Sequence, residues 1–255
     1  MTQAISSSNL PTSSTTLSMQ HGSPSPSSNH VVLKPVLDTV FAFSPNRDTL
    51  GGTSYFLQTA DGNVLVDCPS WNNTTQDTLQ KLGGIRWLVL THRGGVGKLA
   101  HVKQIQSHFQ CDVLVQEQEA YLLPDIPVTS FQHIFQIDPN NRMIWTPGHT
   151  PGSACFYHQL QGGSEMNKGV LFTGRHLLPD RQGNAQPLRV SKTFHWFRQL
   201  RSIQILRDSF TEHTLHFGCP GANTSLLRQQ RVISNFYQQL VDLDLESLRG
   251  IQPGL

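Results

Sequence analysis

Short apolar runs separated by Gly, Pro, Asn and Asp characterise the chain from residue 31 onward. Runs of this length that are rich in β-branched and aromatic side chains predict strands. The predicted strands are 32–43, 54–59, 64–67, 87–91, 113–116, 132–135, 143–145, 155–160, 170–173 and 214–217. The turn Asp61-Gly62-Asn63 predicts a hairpin between the second and third of them.

Other segments have the three- to four-residue apolar spacing of a helix. One short helix is predicted over 75–82, where asparagines precede it and two glycines follow it. The spacing also predicts helices over 99–109, 196–206 and 223–243. Their apolar faces are Leu99, Val102, Ile105 and Phe109; Trp196, Leu200, Ile203 and Leu206; and Leu226, Ile233, Tyr237 and Leu240. Because hairpins and crossovers are mixed, we expect an α/β (α+β) fold of paired sheets flanked by helices.

The first thirty residues differ from the rest of the chain. They contain no Asp, Glu, Lys or Arg and consist mostly of Ser, Thr, Pro, Gln and Asn. Such a segment cannot bury enough apolar surface to offset its ordering entropy, so we predict a disordered tail over 1–30 and one domain over 31–255. A chloroplast transit peptide is the alternative, which the absence of arginine disfavours.

Composition narrows the classes of partner. Charged residues are 14% of the 255-residue chain and the net charge is +2, so no basic field for nucleic acid exists. No secretory signal or apolar run of about 18 residues is present, and we expect a cytoplasmic protein without a membrane partner. Four cysteines without a C-x-x-C pair, Cys68, Cys111, Cys155 and Cys219, predict reduced thiols.

Side chains that can take part in catalysis or binding lie where three predicted strands end. The strand 87–91 leads into His92 and a glycine-rich loop, the turn 146–153 surrounds His149, and the strand 170–173 leads to Arg175 and His176. Open α/β sheets place ligands at the carboxyl ends of strands. The glycine-rich loop matches neither phosphate-binding fingerprint. Taken alone, His149 is better explained by a hydrogen bond within its own turn.

The order of these segments over 31–243 resembles the metallo-β-lactamase-fold superfamily. The resemblance rests on 51–57, 63–67, Leu90-Thr91-His92, the turn 146–153, the strand 171–174 and a late glycine turn at Gly218. It implies a four-layer αββα sandwich with an active site along one edge. That site usually holds two zinc or iron ions, which activate a water for hydrolysis.

Most positions that the resemblance assigns to metal ligands carry other residues. The family motif H-x-H-x-D-H retains its first histidine, and the histidine of the next motif is also present. Arg175 stands at the position of the bridging aspartate, whereas Asp67 is retained as an aspartate that supports the site by hydrogen bonds. In chain order the ligand positions hold His92, Gly94, Val96, Gly97, His149, Arg175 and Cys219.

These replacements predict that the two-metal centre is lost. A catalytic zinc needs three protein ligands, and a second ion needs a carboxylate to share its charge. We therefore expect no cofactor and a non-hydrolytic pseudoenzyme that binds a small anionic molecule or a protein partner. Arg175 either contacts the anion or forms a salt bridge with Asp67 or another carboxylate. The expected cavity is lined by Asp67, His92, Gly94, His149, Arg175, His176 and Cys219.

Two alternatives retain an enzyme, which would be a hydrolase. In the first, His92, His149 and Cys219 hold a single zinc ion in a thioesterase- or glyoxalase II-like site, with His176 as another possible third donor. In the second, Cys219 is a metal-free nucleophile activated by His149 or His176. A protein partner would use the predicted helix 223–243 or the tail.

Overall fold

The computed structural model of the chain describes residues 33–228 and 230–253. The predicted disordered tail over 1–30 lies outside them. Strands in the described residues are β1 Lys34–Leu37, β2 Val40–Ala42, β3 Tyr55–Leu57, β4 Val64–Val66, β5 Trp87–Val89, β6 Asp112–Gln116, β7 Thr129–Phe131, β8 Ile134–Asp138, β9 Asn141–Trp145, β10 Ala154–Gln159, β11 Gly169–Gly174, β12 Leu178–Pro179, β13 Ala185–Gln186, β14 Phe217–Pro220 and β15 Ile233–Ser234.

Helices flank these strands. The α-helices are α1 Asn73–Lys81, α2 Leu99–Phe109, α3 Trp196–Ser209, α4 Phe236–Asp242 and α5 Leu245–Arg249. Short 3-10 helices cover Arg47–Thr49, Arg93–Gly95, Glu117–Leu122 and Thr224–Leu227. Within the described ranges, none of the helices has the length and apolar character needed to cross a membrane.

Two large sheets carry the fold. The first has seven strands in the order β1 to β7, antiparallel from β1 to β4 and parallel from β4 to β7. The second has six strands in the order β15-β14-β11-β10-β9-β8, in which β11 and β14 are parallel. β12 and β13 form a separate two-stranded sheet. The predicted mixture of hairpins and crossovers, including the β3–β4 hairpin, is confirmed.

Three clusters of buried apolar side chains separate four layers. The inner cluster lies between the two large sheets and includes Phe156 and Phe172. A second cluster packs α1 and α2 on the seven-stranded sheet through Leu79 and Ile105. A third packs α3, α4 and α5 on the six-stranded sheet, with Phe236 fully buried. The expected αββα sandwich is therefore confirmed.

Two predicted strands have different bounds in the structure. The segment 32–43 contains the hairpin of β1 and β2, because Asp38 and Thr39 form a turn within it. The segment 214–217 becomes a strand only at Phe217, since Thr211 and Thr214 close a turn after α3: the Thr211 amide donates to Thr214 Oγ1 at 2.8 Å. β14 then continues to Pro220.

The predicted helix over 223–243 is wrong. The segment contains a 3-10 turn, the short strand β15 and the helix α4 instead. Asn223, Arg228, Arg231 and Asn235 have φ between 51° and 57°, and left-handed residues interrupt a right-handed helix. β7, β12, β13 and α5 were not predicted, because their two to five residues include too few apolar side chains to form an apolar run.

Gly218 lies within β14 rather than in a turn, and it packs against Phe236 of α4. A Cβ atom at this position would lie 2.3 Å from Cδ2 of Phe236. We expect Gly218→Ala to lower the free energy of unfolding by about 1–3 kcal/mol, because neither the strand nor the buried ring has room to shift. Urea unfolding of the purified variant measures the loss.

Gly162→Ala is the matched control for this substitution. No atom lies within 4 Å of a Cβ atom placed at Gly162, so this variant should stay within about 0.5 kcal/mol of the parent protein. Equal stabilities of the two variants would contradict the assigned contact between β14 and α4.

Candidate functional site

The candidate site forms where strands of both sheets end. β4 and β5 are parallel neighbours with Val66 opposite Val89, so the residues that follow them, Asp67 and Thr91, lie at the same edge. The second sheet joins this edge through a hydrogen bond from the Ala154 amide to the Thr91 carbonyl, 2.8 Å long. β10, the turn that precedes it and the end of β11 therefore approach Asp67 and Thr91.

A chain of hydrogen bonds connects Asp67, Thr91 and His92. The carboxylate of Asp67 accepts from the Thr91 amide at 2.8 Å and from the Thr91 hydroxyl at 2.7 Å. The same hydroxyl oxygen lies 3.0 Å from Nδ1 of His92. Because the single hydroxyl proton goes to Asp67, Nδ1 of His92 donates and its Nε2 carries the lone pair. That Nε2 atom is buried without a hydrogen-bond partner.

Two glycines allow the loop after β5 to close over these groups. A Cβ atom at Gly95 would lie 2.1 Å from Oδ1 of Asp67, and one at Gly94 would lie 2.8 Å from Nε2 of His92. The 3-10 turn Arg93–Gly95 thus packs its backbone directly on the carboxylate and the imidazole. The space between these four residues leaves no room for a water molecule.

Burial keeps three histidines of the site neutral at neutral pH. The rings of His92 and His149 have centroids 5.5 Å apart. Burial lowers the pKa of His149 to about 4 and that of His176 to about 3, and it lowers the pKa of His92 far below its usual value. Arg175 and Arg93 lower the pKa values of His92 and His149 further.

His176 is the most enclosed of the three. Its side chain is 1% exposed, and both ring nitrogens are buried without a hydrogen-bond partner. Its backbone is held on both sides, since its amide donates to Thr173 and its carbonyl accepts from Nε2 of Gln199 at 2.8 Å. The imidazole is therefore fixed at the site by its backbone and by packing.

Arg175 contacts the backbone of a neighbouring loop. Its Nη2 donates to the carbonyl oxygens of Thr49 at 3.0 Å and Leu50 at 2.9 Å. The alternative, a salt bridge from Arg175 to Asp67 or another carboxylate, is not among the ion pairs of the described residues. Burial raises the pKa of Asp67 to about 6, although its hydrogen bonds to Thr91 and the charge of Arg175 act in the opposite direction.

Glu119 and Arg93 are site residues that sequence reasoning missed. Glu119 is 1% exposed, and Nε of Arg93 lies 3.5 Å from its Oε1. Burial raises the pKa of Glu119, and the charge of Arg93 opposes this shift. The signal was available, because Glu119 follows β6, the next parallel strand of the same sheet, as Asp67 follows β4.

Cys219 lies in the core instead of lining the cavity. Its fully buried side chain belongs to the inner cluster, and its backbone is opposite Phe172. Burial raises the pKa of its thiol far above the ordinary value, which is the reverse of what a thiolate nucleophile requires. The structure therefore separates Cys219 from the candidate roles of nucleophile and zinc ligand.

The residues at this edge do not fit a metal ion. Across 33–228 and 230–253, no three His, Cys, Asp or Glu side chains are grouped so that they could hold one. Neither the set of His92, His149 and Cys219 nor the set with His176 as third donor forms such a group. A catalytic zinc requires three protein ligands, so no step is assigned to a metal here.

The fold itself is shown by solved structures. No protein-family profile and no curated protein sequence matches the chain. Metallo-beta-lactamase SMB-1 bound to 2-mercaptoethanesulfonate is similar with a TM-score of 0.56 and 14% identity, over 84% of this chain and 92% of that one. TTHA1623 in a di-iron-bound form is similar with a TM-score of 0.52 and 19% identity, over 68% of this chain and 88% of that one. The chain thus has the metallo-β-lactamase fold, and at these identities the likeness extends to the fold alone.

The enclosed imidazole of His176 predicts a pH dependence of stability. Its pKa is about 3 in the folded chain against a usual 6.5, so the unfolded chain binds a proton that the folded chain does not bind between these values. The contribution of His176 to the free energy of unfolding is therefore complete above pH 6.5 and is lost as the pH falls. We expect His176→Leu to reduce the slope of unfolding free energy against pH in this window by about 1.4 kcal/mol per pH unit.

Denaturant unfolding at a series of pH values measures this slope. His213→Leu, which removes an imidazole that is 86% exposed, is the matched control. A slope that is the same in His176→Leu and in the parent protein would show that His176 is not held in its neutral form.

Proposed function

We propose that this protein is a non-hydrolytic pseudoenzyme with a degenerate metal site, and that it binds a small anionic molecule without a cofactor. The observation that carries the proposal is a cavity of about 380 Å³ beside Arg175. Leu50, Leu178 and Leu188 supply apolar walls, and hydroxyl groups come from Thr224 and Ser225. A cationic group within a largely apolar pocket suits a carboxylate or phosphate attached to a small apolar body.

The position of Arg175 favours this use. The carbonyl oxygens of Thr49 and Leu50 both accept from its Nη2, which holds the guanidinium beside the cavity that Leu50 also lines. A guanidinium presents several donors in one plane, so it can bind a second acceptor while it retains these two bonds. The ligand is therefore expected to meet a preorganised cation.

The charges of the site support a role without metal. The carboxylates of Asp67 and Glu119 each have a guanidinium that lowers their pKa, Arg175 for the first and Arg93 for the second. Two cations and two anions balance, and the histidines are neutral. Because guanidinium groups already balance the two carboxylates, the site offers a divalent ion little net attraction. The close packing of Gly94 on His92 also leaves a hydrolytic water no room.

A small molecule is favoured over a protein partner. The apolar residues Phe236 and Leu240 of α4 are fully buried in the cluster beneath the helix, so they offer no apolar surface for docking. We further propose that the protein acts in the cytoplasm, without nucleic acid or membrane as partner. The low net charge of +2 supports this part of the proposal.

Thermal unfolding tests the anion site. Small carboxylates and phosphate esters with an apolar part should raise the melting temperature of the parent protein in a concentration-dependent manner. Arg175→Gln should cancel this shift, measured against its own baseline without anion, because the loss of the two carbonyl contacts lowers that baseline independently.

The control is Arg181→Gln, which removes an exposed arginine and should leave the shift unchanged. If no anion raises the melting temperature of the parent protein, or if Arg175→Gln responds as the parent does, the assignment of this cavity is wrong.

A single-metal hydrolase of the thioesterase or glyoxalase II-like kind is the second candidate, and one observation favours it. The Asp67–Thr91–His92 chain orients an imidazole whose Nε2 is free, as in histidines that ligate metals. The candidate lacks a third donor, because the described residues do not group one with His92 and His149.

Metal analysis separates the two candidates. We expect protein purified without a histidine tag from zinc-supplemented medium to contain far less than one equivalent of zinc or iron, because His92 and His149 are not grouped with a third donor among the described residues. A stoichiometric ion that is lost in His149→Ala and retained in the exposed-site control His213→Ala would establish the hydrolase instead. A screen for thioester hydrolysis would then follow.

A further inference from the structure

A second cavity, of about 420 Å³, adjoins the Arg175 cavity and shares Pro45, Thr224 and Ser225 with it. Its walls come from β1, β2, β3 and the segment that follows Thr224. The candidate site described above does not use this cavity, and its volume is within the range of small-molecule pockets.

Three cations line this second cavity. Lys34 comes from β1, whereas Arg228 and Arg231 come from the segment between the 3-10 turn and β15. None of its described lining residues is acidic, and none of the three cations forms an ion pair with a described carboxylate. Like charges around one cavity repel one another, so a bound anion would reduce this repulsion.

The backbone directs both arginines to the same cavity. Arg228 and Arg231 have positive φ values of 54° and 55°, which are costly for residues other than glycine, and the ψ of Arg228 is −117°. Arg231 also donates from Nη1 to the carbonyl oxygen of Pro35, which joins this segment to β1. Arg231 is thereby held beside β1, which carries Lys34, and Arg228 lines the same cavity.

The remaining lining specifies the body of the ligand. Oγ1 of Thr53 and Oγ1 of Thr224 lie 3.0 Å apart, and this hydroxyl pair joins the two sides of the cavity. Phe43, Pro45 and Tyr55 supply an apolar wall. Cations with hydroxyls on one side and aromatic surface on the other match a strongly charged head on a flat apolar group.

We propose that the cavity bounded by Lys34, Arg228 and Arg231 binds a phosphate monoester, with the phosphate on the three cations and the apolar group on Phe43 and Pro45. A phosphate dianion carries two negative charges, so it neutralises three cations better than a carboxylate, which carries one. The proposal does not depend on the function assigned to the Arg175 cavity.

Isothermal titration calorimetry with phenyl phosphate and inorganic phosphate tests this site. Both should bind, and phenyl phosphate about tenfold more tightly, because only the ester buries an apolar ring. Arg228→Asn/Arg231→Asn should weaken phenyl phosphate binding by about tenfold or more, since it removes two cations. Arg181→Asn, at an exposed arginine, is the matched control.

Lys34→Gln gives an independent measurement if the double variant does not fold, because Lys34 is exposed on β1. It should weaken phenyl phosphate binding several-fold. The proposal is overturned if the parent protein shows no saturable binding, or if these variants bind as tightly as the parent. It is also overturned if Arg175→Gln abolishes the binding while the double variant retains it, because the ester would then occupy the Arg175 cavity.

Discussion

The arrangement of the site depends on the hydrogen bonds that the carboxylate of Asp67 accepts. It accepts two hydrogen bonds from Thr91 and thereby ties together the ends of two parallel strands. The Thr91 hydroxyl passes this orientation on to His92, and the Thr91 carbonyl receives the second sheet through Ala154. The carboxylate is buried, and the hydrogen bonds that it accepts offset the free-energy cost of removing it from water. The two large sheets thus meet at Thr91, which the carboxylate of Asp67 holds in place.

The electrostatics of this edge follow from the same burial. Burial raises the pKa of Asp67 to about 6, and the nearby guanidinium of Arg175 opposes this shift. Glu119 and Arg93 repeat this pairing on the neighbouring strand. The buried carboxylates of Asp67 and Glu119 thus each have a nearby arginine of the chain itself.

The sequence allowed the layers and most strands to be predicted, because alternation and helical spacing persist over long segments. It failed over 223–243, where Asn223 and Asn235 take left-handed conformations that the apolar spacing does not reveal. The side of the sheet on which the Cys219 side chain lies was not predictable either. Side chains alternate along a strand, and the start of β14 was displaced by the turn at Thr214, so its direction depended on a register that only the packed sheet defines. Glu119 was overlooked although it follows a parallel strand.

The packing of Gly94 and Gly95 has a consequence for substitutions at these positions. A histidine at Gly94, which the resembling family carries, would place its Cβ atom 2.8 Å from Nε2 of His92, and any side chain at Gly95 would meet Asp67. Any side chain introduced at either glycine would therefore first displace groups that hold the site together. Such a substitution would lower stability before it could add a new contact to the site.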